Sequence, residues 1–576
     1  MNYCPKCRKK LVVQDFCVEC GADLSEYVNQ TEPASLGDLG SFEFSALEQE
    51  AARQLVEQSG LEIQGSVLVK YTGKSRTVII PQGVTEIFDG AFQNNEIIAA
   101  VNIPQSVNII GKSAFEGCKY LKTVTLPSEM EEIYARAFFG CNELEQITIP
   151  KKITQIREQV FCGCGGLKSI TIPDSVTQIQ YNAFQGCCRL NDIYITNLAA
   201  WCAIFGLRDL MRPERRITLH LNNTPITRLV IPESVSVIRH SAFSGCGDLV
   251  SVSFPKTVRS IEGCAFFASG LQELTIPNYI TDIGKNAFGA CKGLTSVVIS
   301  ANIPSYYQEE SIFFDCPKLS RVTITDSVTS IGTYAFYGCA ALTSIELPDS
   351  VSTICAFAFE GCSSLASIRL SNAITRIEPG TFRDCSSLSS ISIPDSVTTI
   401  GREAFGKCKG LTNIQFPNSL SIIETEAFRD CSGIRSIRVP DSVQSIGYGA
   451  FCGCMQMEQI TLPFVGEKAV NNGYREKHFG FIFGYSGERD AILAEGKKLS
   501  YYYSDYSESY EDRIEGTGYR YSIPASLKCV TILGGQSCNF SGCNAIRHIQ
   551  LPADLYHRSN KSVDFYCCTG PQITLL

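Results

Sequence analysis

One phrase recurs along this chain at a fixed spacing, and it constrains the fold more than any other feature. It reads Ile-Pro, a few polar residues, Val-Thr-x-Ile-Gly, two residues, Ala-Phe-x-Gly-Cys, two residues, Leu, two residues, Ile-x-Ile. With its phenylalanine as ruler, Phe92, Phe115, Phe138, Phe161 and Phe184 stand 23 residues apart. After a gap of 59 the phrase resumes at Phe243, Phe266, Phe288 and Phe313, and then runs through Phe336, Phe359, Phe382, Phe405, Phe428 and Phe451 in steps of 23. A gap of 89 leads to Phe540 and a degraded copy at Phe565. A unit this short cannot close a core alone, so its apolar positions must be covered by like neighbours. The expectation is a mainly-β repeat solenoid with one coil per repeat.

Within a coil, Leu121, Val124 and Leu126 precede Pro127. The alternation reads as a short strand, and proline stops it because it cannot donate to a ladder. The second half carries another short extended piece, a Gly turn and an inward Phe. Successive strands then lie about 4.8 Å apart. Fifteen of the 28 cysteines fall three residues after the ruler Phe, from Cys118 to Cys568. Cysteine tolerates complete burial as a small apolar residue, so these positions are expected to form a column of buried thiols. A zipper of disulfides fits the coil spacing but is rejected, because a reducing compartment keeps such thiols open.

The phrase resembles the BspA-type leucine-rich repeat family, over roughly residues 61 to 576. That resemblance implies a curved, right-handed solenoid of about 23 residues per coil that binds proteins, often at a bacterial surface. It also implies that the Trp-bearing first gap is an enlarged coil.

The first residues carry different chemistry. Cys4, Cys7, Cys17 and Cys20 form two CxxC pairs nine residues apart. Four thiolates match tetrahedral zinc, and a site with four protein ligands leaves no position for a reactive water. The expectation is one structural Zn2+ in a small zinc ribbon over residues 1–21, similar to the ribbons at the N-termini of many bacterial proteins. Residues 22–44 read as a polar, acidic linker. The segment 45–80 reads as a helix, with Ser45 and Glu48 at capping-box spacing and Gly60 as its stop, followed by a strand-turn-strand cap.

Repeats are expected over 81–463, with the enlarged coil at about 188–230. There Trp201, with Phe205 and Leu207, either fills a widened core or lines a ligand pocket. Residues 464–527 read as a Tyr-rich insert, and 528–576 as terminal repeats. In the insert, His478 has Glu476 and Tyr485 nearby but no accompanying nucleophile or metal-ligand spacing. Tyr501, Tyr502 and Tyr503 are better read as contact material. The last residues, Ile573 to Leu576, end in a strand, an open edge that invites self-association.

Outward strand positions are mostly Ser or Thr. Tyr194, Arg321, Glu346, Arg369 and Arg438 break that pattern and are, with Trp201 and the three insert tyrosines, the candidate partner contacts. The net charge of −8 argues against a polybasic nucleic-acid or membrane-surface protein. No apolar stretch is long enough for a transmembrane helix, and the first twenty residues do not read as a signal peptide. The reading is a non-catalytic, cytoplasmic protein-binding scaffold or adaptor, the alternative being a surface adhesin of the same repeat class.

Overall fold

The computed structural model describes residues 12–13, 16–17, 60–468, 479–484, 523–535, 538–540, 543, 545–557, 563–564 and 571–576. The chain divides into two units, Met1–Gly60 and Leu61–Leu576. In the first, Val12–Val13 pairs antiparallel with Phe16–Cys17, Val12 facing Cys17. Cys4, Cys7 and Cys20, the linker and all of the expected helix before Gly60 lie outside the described residues.

The second unit is a mainly-β solenoid. Each regular coil contributes two short strands, and both stack in parallel on the next coil. In the longer column Thr77–Ile79, Ala100–Asn102 and Thr123–Thr125 pair in sequence, each residue meeting its equivalent one repeat on. In the shorter column Glu86–Ile87, Ile109–Ile110 and Glu132–Ile133 do the same. Turns close the third side. Ser113, Phe115 and Gly117 donate their backbone N–H groups to the carbonyls of Ala135, Ala137 and Phe139 at 3.1, 2.8 and 2.7 Å. The backbone polar groups of a narrow coil are thus satisfied by its neighbours.

Inside, the Phe rings stack. Centroids are 4.8 Å apart at Phe92–Phe115, 5.3 Å at Phe115–Phe138 and 5.2 Å at Phe405–Phe428, the planes within 9° of parallel. The spacing widens to 6.1 Å at Phe288–Phe313, where the sequence step is 25 rather than 23. Burying each such ring contributes about 1.5–3 kcal/mol.

The described repeat cysteines are free thiols, and most of them hydrogen-bond to the preceding coil. The Sγ of Cys141 donates to the Phe115 carbonyl at 3.2 Å, and that of Cys385 to Phe359 at 3.2 Å. The same Phe115 oxygen accepts the Cys118 backbone N–H at 3.1 Å. Where the column carries Ser269 instead, its buried hydroxyl lies 3.3 Å from the Cys291 Sγ.

Two backbone positions per coil are left-handed. One, two residues after the Phe, is usually the repeat glycine, as at Gly140 (φ 69°) and Gly163 (φ 79°), but Ala268 (φ 55°) and Lys407 (φ 61°) also occupy it. The other, two residues before the Phe, holds Arg136 (φ 61°), Gln159 (φ 56°), Tyr334 (φ 57°) and Glu403 (φ 50°).

At the start of the solenoid, Leu61–Gln64 and Val67–Tyr71 form an antiparallel pair, and Val67–Leu68 begins the shorter column against Glu86–Ile87. Tyr71 takes the Phe place: its N–H donates to the Ala91 carbonyl at 2.8 Å and its ring lies 5.3 Å from Phe92.

In the enlarged coil, Asn197 caps the helix Leu198–Ala203, its Oδ1 accepting the N–H groups of Ala199 and Ala200. Trp201 on this helix is 1% exposed, which corrects its candidacy as a partner contact. Its indole Nε1–H donates to the Ala242 carbonyl at 2.8 Å, whereas elsewhere the Phe backbone N–H of the preceding coil fills that role. Leu207 is buried with it, but Phe205, expected in the same core, is 54% exposed and lies under the Arg239 guanidinium at 4.0 Å. Burial of Phe205 is therefore corrected too: its backbone bridges Gln178 in the shorter column, which turns its side chain outward. The longer column changes here as well. Thr218–Leu221 pairs with Asp192–Ile195 and then folds back on Thr224–Pro225. Asn222 and Asn223, both at positive φ, make that tight turn possible. A fresh ladder begins at Arg228–Val230.

The second gap is shorter than it reads. Gln459–Leu462 pairs directly with Cys529–Ile532, so the excursion between them leaves the column unbroken. Its Phe479–Phe483 turn supplies a coil the 23-residue ruler passes over: Phe451 donates to the Ile482 carbonyl at 2.8 Å, and Ile482 and Phe483 are buried. Tyr501, Tyr502, Tyr503, Glu476, His478 and Tyr485 lie outside the described residues. On the surface, salt bridges link equivalent positions of adjacent coils, as at Glu96–Lys119 (2.7 Å), Glu145–Lys168 (3.0 Å) and Arg435–Glu458 (2.7 Å). Among the described residues no helix is long and apolar enough to cross a membrane.

Candidate interaction surface

Strand alternation turns every second residue of the longer column away from the core. Arg321, Glu346, Arg369 and Arg438 are exposed there, on strands of three separate short sheets of the column. Glu346 and Arg369 face each other in register. Both line a concavity of about 550 Å3, together with Ile324, Asp326, Leu347 and Asp349. Arg369 donates from Nη1 to the Leu347 carbonyl at 3.1 Å and reaches Asp349 at 3.5 Å, so its guanidinium is aimed along the rim. Arg321 and Arg438 are exposed and have no carboxylate partner among the described residues, leaving two positive charges for a second molecule to neutralise. Tyr194 differs: it is half-buried and stacks on His220, centroids 4.4 Å apart and planes 16° from parallel.

The turn side carries a charge network that the sequence alone did not single out. Arg383 reaches Glu360 at 3.3 Å in one coil and Glu403 at 3.1 Å in another. Burial pushes the Glu360 and Glu426 carboxyls above the usual range, against the pull of Arg383 and Arg429 respectively. At Glu116 the balance is reversed, because the hydrogen bond from Arg136 holds that carboxyl below it. Burial pushes column thiols such as Cys118 and Cys187 up to about 12. They are therefore protonated hydrogen-bond donors rather than nucleophiles.

The Tyr194–His220 pair also escaped the sequence pattern, because the enlarged coil makes their separation 26 residues instead of 23. Among the described residues no group of three or more His, Cys, Asp or Glu is placed to hold a metal ion. Of the four expected zinc ligands only Cys17 is among the described residues, at the end of its short strand.

The chain matches the BspA type Leucine rich repeat region over residues 62–191, 220–310, 308–434 and 376–472. Among solved structures it is similar to a leucine-rich repeat protein from Bacteroides ovatus, at 26% identity over 69% of this chain and 82% of that one, with a TM-score of 0.38. It is also similar to a leucine rich cell surface protein from Faecalibacterium prausnitzii, at 24% identity over 74% of this chain and 98% of the other, with a TM-score of 0.32. No curated protein matches the chain.

Proposed function

The chain belongs to the BspA-type leucine-rich repeat family, and on that premise we propose that it is a non-catalytic scaffold that binds a protein partner along its longer strand column. The observation that carries this reading is the set of exposed charges, Arg321, Glu346, Arg369 and Arg438, on strands of the longer column. The sheet already holds their backbone, so binding has only the side chains to order, and complementary charge favours specificity and rapid encounter. The test replaces Arg321, Arg369 and Arg438 together by Glu and compares the proteins captured from host lysate with those captured by the wild type. Loss of particular partners, with an unchanged circular dichroism melt, is expected. Identical capture sets would refute the strand face as the interface.

In this reading the scaffold works in the reducing interior of a bacterial cell. Support comes from the thiol column, whose Sγ–H groups are engaged with Phe carbonyls in coil after coil. Alkylation of freshly lysed native cells should find the repeat cysteines reduced, and extensive disulfide formation would instead favour the surface-adhesin alternative. The N-terminal unit is proposed to hold one structural Zn2+ through Cys4, Cys7, Cys17 and Cys20. The support is their spacing, together with the antiparallel pair Val12–Val13 and Phe16–Cys17 between the two CxxC halves. Metal analysis should return one zinc per chain, abolished by Cys7→Ser with Cys20→Ser.

A further inference from the structure

The geometry points to a second binding site on the other side of the enlarged coil: a subsite for a neutral saccharide, with Tyr194 as its stacking platform. The outward position of the longer column is Thr125, Thr148 and Thr171 in the three coils before, then Tyr194 and His220. The His220 ring covers one face of Tyr194 at 4.4 Å and is itself held by Asp192, whose Oδ1 lies 2.8 Å from Nε2. His220 is only 9% exposed, and its Nδ1 is buried with no hydrogen-bond partner. A coil has no need of this arrangement, since its neighbours satisfy the same position with threonine. An imidazole kept there with one nitrogen unsatisfied costs stability, and what it achieves is to stand the Tyr194 ring upright.

In front of that ring lies a shelf of polar groups. Ser169 and Thr171 in the adjacent coil, and Gln146 and Thr148 in the one beyond, are partly or fully exposed. None of their side chains has a hydrogen-bond partner among the described residues. The second oxygen of Asp192 and the Tyr194 hydroxyl are likewise without a protein partner. Behind the wall, Thr224–Pro225 folds back against His220, so the shelf opens towards the threonine coils.

An anchoring peptide side chain fills an apolar pocket, whereas the exposed side chains of this shelf are polar. A flat aromatic face beside several uncharged donors and acceptors and one carboxylate suits a pyranose ring instead. Such a ring lays its C–H face on the aromatic and offers its hydroxyls to the neighbouring polar groups. The site lies several coils away from the charged face of Arg321 to Arg438, so the two can fail independently.

The test uses the full chain in native gels cast with and without soluble xylan, mixed-linkage β-glucan, mannan or hydroxyethyl cellulose. Retardation in at least one polysaccharide is expected. Tyr194→Ala should weaken it at least tenfold, while Tyr194→Phe, which keeps the stacking face, should retain most of it. Circular dichroism melts of both variants confirm that the coil is intact, and His220→Ala gives an intermediate loss through the released ring. Absence of retardation in every gel, or equal retardation of wild type and Tyr194→Ala, overturns the proposal. Loss of a protein partner on Tyr194→Ala with no polysaccharide effect does so as well.

Discussion

Replacing Trp201 by Phe tests whether the enlarged coil joins the two stretches of repeats through its indole. The ring is 1% exposed and its Nε1–H supplies a hydrogen bond to the Ala242 carbonyl. Phenylalanine cannot donate, so that carbonyl is left unsatisfied in a dry core, at a cost of about 1–3 kcal/mol. The smaller ring leaves a void, and at about 24 cal/mol per Å3 a gap of roughly 40 Å3 adds about 1 kcal/mol. The expected loss is therefore about 2–4 kcal/mol, concentrated between the coils of Phe184 and Phe243. In a solenoid each coil leans only on its neighbours, so a weakened junction should split unfolding into two transitions. Urea denaturation followed by far-ultraviolet circular dichroism reads this directly, because the variant lacks the chain's one tryptophan. In the wild type, the same tryptophan should resist acrylamide quenching until the junction opens. A variant stability within about 0.5 kcal/mol of wild type, or free quenching in the native protein, would refute this account.

Other outcomes follow from the same geometry. Ala268→Gly should stabilise the protein by roughly 1 kcal/mol in urea denaturation, because it removes a left-handed alanine (φ 55°) at a position where a Cβ is costly; destabilisation would count against the assigned backbone. Phe359→Ala, at the centre of the long run of stacked rings, should cost about 3–5 kcal/mol, and a smaller loss would mean that the column collapses around the gap. The carboxyl of Glu116 titrates below its ordinary value when folded, so its contribution is present above the unfolded value and lost as pH falls through the folded one. The stability difference between wild type and Glu116→Gln should accordingly shrink in acid. Glu360 is raised, so its contribution is lost as pH rises, and Glu360→Gln should gain on wild type between acid and neutral pH; parallel profiles for the two variants would refute the assignment.

Much of the solenoid was legible because the core positions repeat: Phe, Cys, Leu and the Ile-x-Ile strand recur in phase, and each performs one packing task in every coil. The left-handed position two residues before Phe left no such trace. Its occupants run from Arg136 to Tyr334 and Glu403, since the side chain points outward and only the backbone is constrained. The coil at Phe483 was hidden because the excursion preceding it breaks the 23-residue step, although Ile-Phe-Gly retains the local pattern. For the surface, exposure of Arg321, Glu346, Arg369 and Arg438 followed from strand alternation alone. The pairing of Tyr194 with His220 did not, because it depends on how many residues the enlarged coil consumes before the ladder resumes. Trp201 was ambiguous for a related reason: a lone aromatic in an irregular segment has no repeat to say which way it faces.

The salt bridges between equivalent positions of adjacent coils bear on how such a chain can change its length. Inside, the regular coils are interchangeable, and excising 23 residues from the stretch Phe92 to Phe184 or Phe313 to Phe451 would leave the Phe and Cys columns continuous. Outside they are not. Glu145 sits between Lys168, at 3.0 Å, and the charge of Lys122, so removing the coil that carries it would set Lys122 against Lys168. The core thus permits duplication and loss of whole units, while the alternating surface charges give each unit an address, and a deletion would be read as two like charges brought face to face.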